Sequence, residues 1–317
     1  MILLRILDTV IEKGKKHRGY IKIGDASTHE VKLPYIVING AKEGPVVTIL
    51  AGVHAIECAP VEALYRLADK IEPDQLVGTL ILVPVVNAEG FHARQPYHNQ
   101  LDHLNQNKVF PGDPEASITK RVAYHVFEHF VSKSDVLIDA HSADLGEDVT
   151  RGIYVYSTEN KELFEKMVEL ASLYNPNLIE TTGISGNTGE AVNIYGIPCL
   201  MIESGAPYPI READVQYHYD GALNLLKHMK MIKGEAARYN PPVDPPSKRI
   251  WAEKGGVWRR KVEAGQSVKR SEKLGTVCNL LGEPVQIAIA PYDGLVSFLR
   301  VHYSVNSGDT LLWVAKA

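Results

Sequence analysis

Four apolar runs limit what this chain can fold into: PVVTIL (residues 45–50), TLILVPVV (79–86), DVLI (135–138) and PCLMI (198–202). They are continuous and do not alternate apolar with polar residues, which is the pattern of strands buried on both faces. Longer amphipathic stretches separate them. ECAPVEALYRLADKI, ASITKRVAYHVFEHFVSK, ENKELFEKMVELASLY and READVQYHYDGALNLLKHMKMI all read as helices, and GIYVYS as a further strand. YIKIG and HEVKLPYIVING begin the strand series, with NGAKEG as a turn. The alternation predicts an α/β region with a central sheet and helices on both faces.

That texture ends near residue 237. RYNPPVDPPSKR (238–249) holds four prolines in twelve residues and reads as a semi-rigid linker. Residues 250–317 then carry short β-like segments punctuated by Gly and Pro, the pattern of a small all-β domain. The expected organisation is 1–237, a linker at 238–249, and 250–317.

The charged and polar residues that follow the apolar runs carry the chemistry. PVVTILAGV leads to His54 and Glu57, TLILVPVV to Asn87, DVLI to Asp139 and His141, and PCLMI to Glu203. Ligands of open α/β sheets bind beyond the carboxyl ends of the strands, so separate strands would deliver His, Glu, His and Glu to one edge. Two histidines and a glutamate form a known ligand set for catalytic zinc that leaves a position for water. Glu203 is then the candidate base, moving a proton from water to a leaving nitrogen. Asp139 lies two residues before His141 and shares its face on a strand, where it can orient the imidazole.

HVFEH, with His125, Glu128 and His129, offers a rival metal pattern on a helix. A helical projection gathers Val122, Ala123, Val126, Phe127 and Phe130 on one side and the three polar residues on the other, so a solvated face is the simpler expectation. Cys58 could act as a thiol ligand, but free cysteine more often serves as a small buried residue. The three cysteines form no disulfide framework. A net charge of −4 gives no electrostatic case for nucleic-acid binding. No apolar run reaches the roughly 18 residues of a membrane-spanning helix. The N-terminal stretch lacks a basic segment and cleavage site, so a cytoplasmic protein is expected.

The motifs resemble the succinylglutamate desuccinylase/aspartoacylase family, zinc hydrolases related to the metallocarboxypeptidases. GVHAIE (52–57), NAEGF (87–91), NQNKVFPG (105–112), DAHS (139–142) and GIPCLMIESG (196–205) follow the family's order across nearly all of residues 30–235. The resemblance implies a zinc-carboxypeptidase-like mixed sheet and one Zn²⁺ per chain on His54, Glu57 and His141, with Glu203 as the catalytic base. It also implies that Asn107 and Lys108 grip a substrate carboxylate and that Arg94 steadies the oxyanion. Ala55, Asn105 and Lys108 depart from the family's Gly, Asp and Arg; Asn105 thereby weakens a supporting carboxylate, and Lys108 gives up the two-pronged grip of arginine. The C-terminal region resembles biotinyl/lipoyl-type β-barrels, but LLGEPVQIAIAP has no lysine where carrier domains keep one. This implies a structural or access-restricting role, with Trp251, Trp258 and Trp313 in its core. The expected activity is hydrolysis of the acyl-amide bond of a small carboxylated N-acyl amino acid. A peptide-cleaving metallocarboxypeptidase and a non-catalytic metabolite-binding protein are the alternatives. No membrane partner is expected, and a homo-oligomer is compatible with the sequence.

Overall fold

The computed structural model describes residues 4–316. A short hairpin, β1 (Leu4–Ile6) and β2 (Thr9–Ile11), precedes two long antiparallel strands, β3 (Lys15–Asp25) and β4 (Glu30–Asn39). The strand series continues with β5 (Lys42–Ala51), β6 (Val77–Val83), β7 (Val136–His141), β8 (Glu147–Tyr156), β9 (Leu178–Thr182) and β10 (Cys199–Gly205). β6, β5, β7 and β10 lie side by side and parallel, while β4 and β8 flank them antiparallel. Every residue of β7 is buried, as are the last five of β5. Consecutive buried residues require cover on both faces, which accounts for the unbroken apolar runs.

The helices are α1 (Cys58–Lys70), α2 (Ala88–Ala93), α3 (Ile118–His129), α4 (Lys161–Ser172), α5 (Glu190–Tyr195) and α6 (Glu212–His228). α1 and α6 pack together through Ala59, Ala63 and Val215. On α3, Val122, Ala123, Val126 and Phe127 are buried, and Phe130 follows them inward. The projection from sequence is therefore met. Among the described residues no helix is long and apolar enough to cross a membrane.

The C-terminal strands are β11 (Ser247–Trp251), β12 (Gly256–Arg260), β13 (Ser267–Val268), β14 (Lys273–Cys278), β15 (Pro284–Ile289), β16 (Gly294–Arg300), β17 (Ser304–Val305) and β18 (Thr310–Lys316). Four of them form a sheet of their own in the order β15-β14-β12-β17. The others extend the main sheet: β16 pairs with β8 through Phe298–Val149, Leu299–Asp148 and Arg300–Glu147, and β18 and β11 follow. One sheet thus runs through both sequence regions. The proline-rich stretch is pinned along β9, where Thr181 donates its N–H to Asp244 Oδ1 at 2.7 Å, and it ends in β11. Of the three tryptophans, only Trp258 is fully buried in the C-terminal core; Trp251 is exposed and Trp313 faces a cavity. The tryptophan expectation is corrected accordingly: Trp251 ends its strand at a bulge, and Trp313 lies where the two regions meet.

Candidate metal centre

The site begins where β5 stops. Gly52 takes a left-handed φ of +60°, which L side chains rarely adopt. It turns the chain while Ala51 and Gly52 accept hydrogen bonds from Val86 and Asn87 N–H. His54 and Glu57 follow in one turn, and Glu57 is the residue that enters α1. His141 ends β7, next to β5 in the sheet, and pairs in register with Glu203 of β10. Adjacent parallel strands therefore bring all four side chains to one edge.

Glu57 is 2% exposed and His141 0%. His54 Nδ1 lies 2.8 Å from Glu57 Oε1, and His141 Nδ1 lies 2.8 Å from Glu57 Oε2. Ser142 N–H donates to the same Oε2 at 3.2 Å. On the far side of the ring, His141 Nε2 stands 3.0 Å from Asp139 Oδ1, and Asp139 Oδ2 accepts from Thr188 Oγ1 at 2.6 Å. Neither atom of that close pair meets hydrogen-bond geometry, so it is the Asp139 charge beside Nε2 that biases the tautomer. Asp139 draws the proton to Nε2, leaving a lone pair on Nδ1 aimed at a carboxylate oxygen. Two acceptors facing each other in a buried site require a proton or a cation between them. His54, Glu57 and His141 are the group whose ligand atoms, all within 4.8 Å of one another, could hold a metal among the described residues. Their N₂O chemistry suits zinc. His125, Glu128 and His129 form no such group, and half-buried Cys58 does not join one.

The electrostatics follow from burial. Desolvation pushes the Glu57 carboxyl up, but the two imidazoles outweigh it and hold it at about 2. Desolvation disfavours charged His141, yet Asp139 and Glu57 raise it well above its usual value. Glu203 moves the other way: burial raises its carboxyl far above the usual range, Glu57 and Asp139 add to the rise, and His141 opposes it.

His54, Glu57 and Glu203 line a cavity of about 420 Å³. Its wall also includes Tyr97, Asp144, Glu147 and Tyr154, and from the C-terminal strands Ser297, Arg300 and Trp313. Tyr97 is held by Asn87, whose Nδ2 donates to the Tyr97 carbonyl at 3.3 Å while its Oδ1 accepts from Gly90 N–H. Asn87 is thus an α2 cap that shapes the wall. Arg94, Asn107 and Lys108 are not among the lining residues. Arg94 is exposed at the end of α2 in a left-handed conformation, Lys108 is exposed, and Asn107 is buried with Oδ1 unpartnered. Asn105 caps the following turn by accepting from Asn107 N–H at 2.8 Å. The sequence singles out neither Thr188 nor Ser297 and Arg300 of β16, and Trp313 of β18 only as a core residue. Thr188 carried no motif, and the others reach the cavity only through strand pairing more than 140 positions apart.

Fold and site together define an α/β protein with a candidate divalent-metal centre at the carboxyl edge of its sheet. Residues 43–229 match the model of the succinylglutamate desuccinylase/aspartoacylase catalytic domain, more than half of the chain. The chain belongs to that family. It is 25% identical to N-alpha-acetyl-L-2,4-diaminobutyric acid deacetylase from Halomonas elongata, over 96% of this chain and 92% of that protein. Its fold matches a succinylglutamate desuccinylase/aspartoacylase from Rhodobacter sphaeroides, with a TM-score of 0.84, 22% identity and coverage of 96% and 98% of the two chains. The product-bound ectoine utilization protein EutE (DoeB) from Ruegeria pomeroyi gives a TM-score of 0.85, 22% identity and coverage of 97% and 98%.

Proposed function

We propose that this chain is a zinc-dependent amidohydrolase that removes the acyl group from a small carboxylated N-acyl amino acid. His54, Glu57 and His141 would hold one zinc. The observation that carries this is the pair of imidazole Nδ1 atoms aimed at the two oxygens of one buried carboxylate, with Asp139 fixing the His141 proton on the opposite nitrogen. Zinc, when bound, supplies a Lewis acid that polarises a carbonyl and acidifies water. Glu203 takes a proton from the attacking water and delivers it to the departing amine. Glu203, beside the cluster and in register with His141, is placed to hold that proton between the two halves of the transfer. Asp139 and Thr188 keep His141 in the tautomer that presents Nδ1.

The cavity volume fits a small molecule, since ligand sites of this kind run from about 300 to 1,000 Å³. β16 and β18 wall it on the side away from β7, which disfavours the peptide-cleaving alternative. In this reading residues 1–237 carry the hydrolase and residues 250–317 close its cavity. Arg94, Asn107 and Lys108, which the family resemblance assigns to substrate binding, do not line this cavity. The relative that acts on an N-acetyl diamino acid supports an N-acetyl substrate. The test is Glu203→Gln. Turnover of an N-acetyl amino acid panel is expected to vanish while zinc content stays near one per chain. Normal turnover in that variant would remove Glu203 from the mechanism, and zinc binding without turnover in the parent would favour a binding protein.

A further inference from the structure

β15 is an edge strand. The small sheet runs β15-β14-β12-β17, and β15 pairs with β14 alone. An edge leaves a row of backbone N–H and C=O groups free, and soluble proteins blunt such edges with charged side chains, bulges or cover. The side chains that β15 turns outward are Val285, Ile287 and Ile289, between 41% and 54% exposed, while Ala288 is buried on the other face. No charged residue interrupts them. Pro284 stands at the first position, where a strand tolerates it, and leaves the rest of the edge able to pair.

The turn between β14 and β15 is a second observation. Leu280 and Leu281 are 89% and 86% exposed. The turn closes without them. The Asn279 carbonyl accepts from Gly282 N–H at 3.0 Å, and Asn279 Oδ1 accepts from Leu281 and Glu283 N–H, each at 3.0 Å. Asn279 Nδ2 donates to Glu283 Oε2 at 2.7 Å. Polar residues and glycine suit such positions, so two leucines held outward by a fixed turn have no role inside the fold. With the three side chains of β15 they present roughly 500 Å² of apolar surface, the size at which a patch on a soluble protein marks an interaction site.

We infer that this edge is the contact between two copies of the chain, with β15 pairing antiparallel to β15 of the second copy about a two-fold axis at Ile287. The inference is independent of the deacylase reading. Register selects the occupant. With Ile287 opposite itself, Val285 of each copy faces Ile289 of the other, so every outward side chain of the strand meets an apolar one. The charges agree with this pairing. Lys273 of β14 is in register with Ile289, Glu283 lies two residues before Val285, and both are exposed. Strand spacing and rise then set Glu283 of one copy and Lys273 of the other about 12 Å apart at Cα, within reach of two extended side chains at each end of the contact. Two copies of the patch bury about 1,000 Å² before flanking polar residues are counted, the level a specific interface must clear. An isologous contact of this kind closes at two subunits. The cavity stays open, because its C-terminal wall comes from β16 and β18 in the other sheet.

The test is the solution mass of the full chain, measured by light scattering on a sizing column. The parent is expected at twice the 35.0 kDa of one chain. Ile287→Lys sets two ammonium groups face to face at the axis, so the dimer dissociation constant should rise at least about hundredfold. The side chain is exposed, and circular dichroism should show the resulting monomer folded. Leu280→Ser combined with Leu281→Ser should weaken the dimer about tenfold or more. Ile287→Cys checks the register. Directly opposed residues have Cα atoms about 4.5–5.5 Å apart, a span that a disulfide fits. Mild oxidation should link two chains in that variant and not in the parent, whose Cys199 and Cys278 are buried and Cys58 half-buried. A monomeric parent overturns the inference and leaves the patch to a different partner. A dimer that Ile287→Lys leaves intact, or that Ile287→Cys does not link, overturns it as well.

Discussion

Replacing Asp139 by Asn should weaken zinc binding without disturbing the fold. Asp139 is 0% exposed; its Oδ2 accepts from Thr188 Oγ1 at 2.6 Å, and its Oδ1 places a carboxylate charge 3.0 Å from His141 Nε2. Asparagine has only one accepting oxygen. With that oxygen kept on His141 Nε2, the amide NH₂ meets Thr188 Oγ1, which must then turn its own proton to Tyr156 Oη, 3.2 Å away. The cost is then the difference between a charged and a neutral acceptor, about 1.4 kcal/mol or tenfold in affinity. With the amide reversed, NH₂ faces Nε2 and the ring must carry its proton on Nδ1, the atom needed by the metal. That arrangement costs more, and partners of metal-bound histidines typically contribute about tenfold to hundredfold in affinity. Competition against a chromophoric chelator at neutral pH would measure the zinc dissociation constant for the parent, Asp139→Asn and Thr188→Val. The expected order is parent, then Thr188→Val, then Asp139→Asn weakest by about tenfold to hundredfold. An Asp139→Asn protein that binds zinc within twofold of the parent would refute the tautomer argument.

Two further predictions concern the frame. Arg211 bridges Asp148 of β8 (2.8 Å) and Asp214 of α6 (2.6 Å), both buried, so Arg211→Met leaves two carboxylates unpaired. Discounted for the guanidinium's exposure, the loss should be about 2 kcal/mol, read as a lower urea midpoint with an unchanged slope. An unchanged midpoint would show that the bridge contributes nothing. His125 is held at about 4 by burial, with His129 and Arg121 adding to the effect. Its folded value is below the usual 6.5, so the stability it contributes is complete above pH 6.5 and fades as pH falls toward 4. His125→Gln should flatten that limb by about 1 kcal/mol after discounting for its half exposure, and parallel pH profiles of urea unfolding would contradict it.

The parts of the site legible in the sequence were those set by local rules. Continuous apolar runs marked the strands, so the residues just beyond them had to lie at one edge. His54 and Glu57 share one turn, and Asp139 and His141 share a face because strand side chains repeat every two residues. The helical projection of α3 separated core from polar face for the same reason. What escaped was non-local. Nothing near Ser297, Arg300 or Trp313 signals that β16 will pair with β8, and the proline-rich stretch hides the strand that begins at Ser247. β9, α2 and α5 are short, and short elements carry too few repeats of any period to be read. The motif that placed Asn107 and Lys108 fixes their order along the chain, whereas their distance from the cavity depends on how the 105–112 turn packs.

The most direct measurement is a crystal structure of the protein purified with zinc, with anomalous data collected at the zinc edge. One anomalous peak per chain is expected, within about 2.0–2.2 Å of His54 Nδ1, His141 Nδ1 and a Glu57 oxygen. A peak elsewhere, or none there at full zinc loading, would contradict the account.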